Sequence, residues 1–321
     1  MPGRSASFPH DDPVDNLCHT LAGAACGEAG LKRRTRFATA TLMIAGNLPD
    51  IDVLVFATDL PSVAFRRGWT HGAIAQALLP VGLTLVLMAA ARLRPAGRDG
   101  PPFRAGWVLL LAYVGVLSHV ALDLLNPYGL RLLAPFDWRW LYGDVLFIVD
   151  PWLWVILGAG IWLARRGGPA PARHALALAL VYVLSMTANA RAARTLVAEE
   201  WRRTRGGDPT GLMVGPVPVS PFRRQIVVDN GRGYETGTFE WLPTRIRFDP
   251  TFVAKHDADP RVARARTAPA IRGFLVWARF PFWTFEPVPG GTRVSVGDMR
   301  FVGRGSPFVQ SVVVAEERGR E

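Results

Sequence analysis

The sequence predicts an all-α transmembrane bundle of five to six helices, followed by a small β-rich soluble domain. Three observations carry this. Apolar residues make up 50% of the chain, but they concentrate between 37 and 190, whereas 200–321 has an ordinary soluble composition. Basic residues fall in short clusters between the apolar runs, the pattern by which membrane proteins fix their orientation. Beyond 200, short runs rich in β-branched and aromatic residues are separated by Gly and Pro. The net charge of +11 is therefore read as a topology signal, and no nucleic-acid partner is expected.

Taken in order, residues 1–14 are polar, lack the apolar core of a signal peptide, and are expected to be disordered. Residues 15–195 form the membrane-embedded domain. Its first helix carries His19 among small residues (Ala22, Gly23, Ala24, Ala25). It is short of the roughly 20 residues that a span needs, so it crosses partly or packs among other helices through those small residues. Cys18 and Cys26 lie about 12 Å apart on such a helix, too far for a disulfide. The second helix, 37–56, is interrupted at Asn47-Leu48-Pro49-Asp50-Ile51-Asp52. Residues 73–91 and 107–125 are clear spans, the latter ended by Asn126-Pro127, which cannot continue a helix. The loop to 143 holds Trp138, Trp140 and Tyr142, an interfacial aromatic belt by composition. Residues 145–164 are expected to span again, with Asp150-Pro151 inside the first turns, and 174–190 is the last apolar segment. Residues 200–321 form the β-rich domain, joined through the Gly206-Gly207-Asp208-Pro209 turn, with strands expected at 225–228, 274–280, 292–296 and 308–314.

Charge orients the bundle. The loops after the first, third and fifth helices hold Lys32, Arg33, Arg34 and Arg36; Arg92, Arg94, Arg98 and Arg104; and Arg165, Arg166 and Arg173. They outnumber Arg66, Arg67, Arg131 and Arg139 on the other side. The first set is therefore expected in the cytoplasm and the β-rich domain outside it.

Ionisable residues in or beside apolar helices are costly and mark function. His119 and Asp123 are one helical turn apart and share a face. With up-down order, His19, Asp50, Asp52, His71, His119, Asp123, Asp144 and Asp150 all fall at the non-cytoplasmic end. Three histidines and several aspartates at one level suit one or two divalent ions, Zn²⁺ first and Mn²⁺ where carboxylates dominate. The chemistry expected is metal-assisted hydrolysis of an ester or phosphoester. An aspartate left off the metal, Asp50 or Asp52, is the candidate catalytic base. Asp144 and Asp150 are further candidates, as ligands or as partners that orient a ligand.

Four ordered motifs also carry a resemblance: His19 in its small-residue context, Leu48-Pro49-Asp50-Ile51-Asp52, Arg67-Gly68-Trp69-Thr70-His71, and Leu117-Ser118-His119 through Asp123 to Asn126-Pro127-Tyr128-Gly129. Over roughly 15–165 the chain resembles the YdjM-type family of bacterial inner-membrane, metal-dependent hydrolases. That family is taken to be distantly similar to zinc-dependent phospholipase C and P1 nuclease. The resemblance implies the ligands His19, His71, His119, Asp123 and one aspartate of the 50/52 pair, with Asp52 the first candidate. It also implies an inner-membrane location and a lipid or phosphoester substrate. Where the wider superfamily adds later histidines, this chain has none between His119 and His174, so one or two ions are implied rather than three.

Two other function classes compete. One is a non-enzymatic membrane scaffold with a structural metal site and a partner-binding β domain. The other is an ion transporter, which wants ionisable groups at several depths; these cluster at one end.

Overall fold

The structure, a computed structural model, describes residues 15–58, 65–93, 100–302 and 308–315, except for the side chains of 56 and 57. The disorder expected for 1–14 lies outside the described residues, as do Arg94 and Arg98 of the second basic cluster.

Helix α1 (Asn16–Glu28) starts at Asp15, whose Oδ1 accepts the Cys18 N–H at 2.9 Å, satisfying an amide that has no partner within the helix. Its small residues serve packing. A Cβ on Gly23 would fall 2.8 Å from the Leu42 carbonyl group, so α1 lies backbone to backbone against α2 (Ala38–Ala45). Pro49 has no N–H to extend α2. The chain turns instead by 42° into a 3-10 helix, Leu48–Ala57, that carries Asp50 and Asp52. Then come α3 (Ala73–Leu93), α4 (Ala105–Leu124), α5 (Pro151–Gly167) and α6 (Ala170–Arg205).

Among the described residues, α3, α4 and α6 are long and apolar enough to cross a membrane, and the bent pair of α2 with the 3-10 helix makes at most a fourth span. This corrects the expected five to six. Helix α1 has 13 residues and α5 has 17; at about 1.5 Å per residue both fall short of a ~30 Å hydrocarbon core. The run expected to span from 145 becomes helical only at Pro151, because Asp150 caps it. The Asp150 Oδ1 accepts the amides of Trp152 and Leu153 at 3.0 and 3.1 Å, and proline is favoured just inside a helix start. Helix α5 packs against α1 and α6, sharing a core with Cys18, Ala25, Leu153, Leu157, Ile161 and Met186.

The three basic loops meet at one end of the bundle. Arg36 N–H donates to the Pro102 carbonyl at 3.2 Å, Arg104 N–H to Thr35 Oγ1 at 2.9 Å, and Arg173 Nε to the Ala29 carbonyl at 2.8 Å. The Asp- and His-bearing segments lie at the other end.

Helix α6 has 36 residues, about 54 Å of helix, and continues through the division expected between 195 and 200. Ala193, Val197 and Trp201, one turn apart along one face, enter a core with Leu212, Val214, Ile226, Val228 and Phe239. The helix stops at Gly206, at φ 78°, where a left-handed residue commonly ends a helix. Two antiparallel sheets follow. The first is ordered β1 (Gly211–Pro216), β2 (Arg223–Asp229), β3 (Gly233–Trp241), β4 (Thr244–Ala254); the second is β5 (Pro281–Val288), β6 (Gly291–Asp298), β7 (Val309–Ala315). Between them, α7 (Pro260–Ala265) and α8 (Pro269–Trp277) pack on β7. The strand expected at 274–280 is instead the end of α8, where Ile271, Phe274 and Trp277 are buried at three-residue, helical spacing; extended strand starts only at Pro281.

The β-rich region is fastened to the loop between α4 and α5. Arg224 of β2 is buried and donates to the Asp144 carbonyl at 2.9 Å and to Asn189 Oδ1 at 2.7 Å. Burial pulls its guanidinium down to about 10 from the ordinary 12.5. Arg279 grips the Asp144 carboxylate at 2.8 and 3.1 Å.

Candidate metal centre

The last turns of α4 aim His119 and Asp123 at the bundle interior, both buried. Gly115, one turn earlier, explains how close α4 comes to the end of α2. A Cβ there would lie 2.5 Å from the Ala45 Cβ and 3.0 Å from the Gly46 nitrogen. The bare α-carbon lets His119 Nδ1 reach the Gly46 carbonyl at 2.7 Å. A carbonyl can only accept, so Nδ1 carries the hydrogen, and in the neutral imidazole Nε2 presents a lone pair.

His71 is set up in the same way by other atoms. The Thr70 hydroxyl donates to Asp52 Oδ2 at 2.9 Å, which leaves its oxygen to accept from His71 Nδ1 at 3.0 Å. The His71 Nε2 lone pair then faces that of His119 at 3.1 Å. Asp123 Oδ2 is 3.4 Å from each of these nitrogens and Asp50 Oδ1 is 3.8 Å from each. The ligand atoms of Asp50, His71, His119 and Asp123 all lie within 4.8 Å of one another, and all four residues are buried.

The cluster is a set of acceptors short of a donor. Among the described residues, neither oxygen of Asp50 accepts a hydrogen bond, and Asp123 Oδ2 is met by an ion pair with Arg67 but by no hydrogen bond. Each buried, unbonded polar group costs about 1–3 kcal/mol, and more when charged. A proton shared by the two Nε2 atoms would satisfy that contact alone and leave Asp50 unbonded. A divalent cation satisfies all four at once, and two imidazoles with two carboxylates are a donor set suited to Zn²⁺. The four residues can hold a metal ion.

A surrounding layer holds them in place. Arg67 is buried, sits in the left-handed region at φ 53°, and reaches Asp123 Oδ2 at 3.2 Å and Asn126 Oδ1 at 3.0 Å. Its own N–H donates to Asp52 Oδ2 at 2.7 Å. A left-handed non-glycine residue costs roughly 1–2 kcal/mol; here that conformation places both ends of Arg67 on aspartates of the site. Asn126 Oδ1 also accepts the amides of Tyr128 and Gly129 at 3.0 and 3.3 Å, which shapes the turn after α4.

The expected residues divide into those brought together and those drawn elsewhere. Asp50, His71, His119 and Asp123 converge. Asp52 lies behind His71, its Oδ2 engaged by Arg67 and Thr70 and its Oδ1 3.6 Å from Arg66 Nε. His19 stacks on His119 with ring centroids 3.9 Å apart, and its Nε2 is 3.5 Å from Asp123 Oδ1. It borders a small cavity of about 20 Å³ that Asp123, Asn126 and Asp150 also line, room for one water. Asp144 is held by Arg279. Asp150 caps α5 through one oxygen and accepts the Tyr182 hydroxyl at 2.9 Å through the other. Arg67, Thr70 and Asn126 stand within the motifs, but the sequence alone gives none of them a part in the site.

Comparison with known proteins agrees with the motifs. No curated protein and no solved structure matches the chain. The expected distant likeness to phospholipase C and P1 nuclease is not shown by these comparisons. The family model described as YdjM inner membrane protein matches residues 14–193, a stretch that contains all four clustered residues together with His19, Asp52 and Arg67. The apolar spans, the buried Asp/His cluster at one end of them and this match lead to one conclusion: the chain belongs to the YdjM inner membrane protein family.

Proposed function

We propose that this chain is a membrane-embedded, metal-dependent hydrolase that cleaves an ester or phosphodiester bond at the outer face of the inner membrane. The observation that carries the reading is the convergence of two histidine lone pairs and two carboxylates in a buried site where, among the described residues, Asp50 has no hydrogen-bond donor. Asp50, His71, His119 and Asp123 would hold one divalent ion, with Zn²⁺ favoured over Mn²⁺ by the two imidazoles. When bound, such an ion supplies Lewis acidity toward a phosphoryl or carbonyl oxygen. Asp52 acts with Thr70 by orienting His71, and the Gly46 carbonyl does the same for His119, as partners behind metal-ligating histidines commonly do. Arg67 balances the charge of Asp123. His19, whose buried Nδ1 has no hydrogen-bond partner among the described residues, lines the small cavity and is the residue placed to move a proton at the edge of the site. The basic loops lie in the cytoplasm by their charge, which sets the cluster and the β-rich region on the outer side. A lipid or phosphoester is the substrate class.

One observation favours a second reading. Asp50 and Asp123 are only 5% and 4% exposed, and both histidines are at 0%, as expected of a closed structural metal site in a non-enzymatic scaffold. A Zn²⁺- and Mn²⁺-supplemented screen against phosphomonoesters, phosphodiesters, phospholipids and carboxyl esters separates the two, with the His71→Ala protein as blank. The hydrolase reading expects turnover that the blank lacks. Metal uptake without turnover on any of these classes favours the scaffold.

A further inference from the structure

The family match ends at residue 193, yet the region beyond it grips the turn that follows Asp123, chiefly through one buried arginine. Arg300, in the turn after β6, has all five guanidinium N–H groups engaged. Its Nε donates to Asp298 Oδ1 at 3.0 Å; Nη1 to the carbonyls of Pro127 and Tyr128 at 2.9 and 3.3 Å; Nη2 to the carbonyl of Trp277 at 3.1 Å and to Asp298 Oδ2 at 3.0 Å. Its side chain is wholly buried, as is that of Asp298.

The two carbonyls that Nη1 holds belong to the Asn126-Pro127-Tyr128-Gly129 turn, the segment that follows Asp123. Trp277 adds a second grip, its Nε1–H donating to the Tyr128 carbonyl at 3.0 Å. The Tyr128 ring in turn lies under the Arg67 guanidinium at 4.7 Å, and Arg67 contacts Asp123 and Asn126. The path from the β-rich region to a candidate ligand is therefore continuous: Arg300 and Trp277 fix the turn, the turn fixes Asn126 and Tyr128, and these fix Arg67 against Asp123.

We propose that Arg300 and Trp277 are positioning residues for the metal centre, and that the region after α6 serves to hold the Asn126–Gly129 turn in the geometry that places Asp123 for a divalent cation. This rests on the reading of the Asp/His cluster as a metal site. Burial argues for a dedicated role. A charged guanidinium taken out of water is costly unless every donor is paired, and Arg300 is sited where two hydrogen bonds end on main-chain carbonyls of that turn and a third on the carbonyl of Trp277, which itself grips the turn. A lysine offers three donors and no planar fork, so it cannot reproduce the set.

The test is the Zn²⁺ affinity of the purified full chain in detergent, read by competition with a chromophoric chelator, for wild type, Arg300→Lys and Trp277→Phe. The second variant removes one hydrogen bond and keeps an aromatic ring, so it stays informative if Arg300→Lys does not fold. Loss of a residue supporting a ligand typically costs 10–100-fold in metal affinity; about tenfold is expected for Arg300→Lys and a smaller, measurable loss for Trp277→Phe. Thermal melting of the metal-free proteins is run alongside. Weakened Zn²⁺ binding by Trp277→Phe at an unchanged metal-free melting temperature supports positioning. Wild-type binding with equally tight binding by both variants overturns the positioning role and leaves the metal site standing. A wild-type chain that binds no Zn²⁺ overturns the metal reading and this inference with it.

Discussion

The Nδ1 of His119 lies 2.7 Å from the carbonyl oxygen of Gly46, and that contact joins two features of the chain that are distant in sequence. The end of α2 must come within backbone distance of the end of α4, and the imidazole must face a group that can only accept. Gly115 provides the first condition and the Gly46 carbonyl the second. The result is a lone pair on Nε2, directed at His71, Asp50 and Asp123.

Gly115→Val should disturb both fold and site. The added Cβ would fall 2.5 Å from that of Ala45. Overpacking of this kind costs about 1–3 kcal/mol, read as a lower midpoint in thermal unfolding, and metal content should drop in parallel. Gly158→Ala in α5, where nothing lies within 4 Å of a new Cβ, should instead leave stability unchanged or raise it by about 0.5–1 kcal/mol.

Asp50 and Asp52, two residues apart, should behave oppositely. Asp50→Asn removes a buried charge that no donor meets, so the metal-free chain should melt higher while metal binding is lost. Asp52→Asn disturbs the acceptor for Arg67 N–H and Thr70. It should lower the melting temperature of the metal-free chain and weaken metal binding by about 10–100-fold without abolishing it. Melting curves with and without chelator, plus metal titration, check both.

Arg67→Met should be severe, because it leaves Asp123 buried without its cation. Breaking a buried pair from one side costs about 3–5 kcal/mol. Arg139→Met, at the exposed pair with Asp137, should stay within about 0.5 kcal/mol. Denaturant unfolding of the two variants in the same detergent makes the comparison.

A proline probes the continuity of α6. Glu199 is exposed and falls between the membrane-embedded domain expected to 195 and the β-rich domain expected from 200. A linker would tolerate Glu199→Pro; a helix interior loses about 3 kcal/mol or more. The expected outcome is a destabilised chain that limited proteolysis cuts near the substitution.

Local periodicity made part of this legible. His119 and Asp123 are four apart on one helix, so their shared face follows from sequence, and the up-down order placed His19, Asp50, His71 and Asp123 at one end. Which aspartate of the 50/52 pair faces the histidines does not follow, because the residues between α2 and α3 fold as a 3-10 helix and turns whose facing is set by tertiary contacts. Arg67 was hidden for a related reason: a loop arginine looks like a topology signal until its left-handed backbone turns it inward. The span count failed at α5, which Asp150 starts late and which is too short to cross, whereas the short α1 packs through its small residues as its sequence suggests. The run 274–280, expected as a strand, shows that a short apolar stretch does not declare its period; its first four residues close a helix that Pro269 begins.

The most direct test of the central claim is metal analysis of the purified full chain beside the His119→Ala/Asp123→Ala double variant. About one Zn or Mn per folded wild-type chain is expected, lost in a double variant whose helix content is unchanged. A wild-type chain that carries no metal and takes none up on titration, or a double variant that retains the full complement, would rule out a metal site at His119 and Asp123.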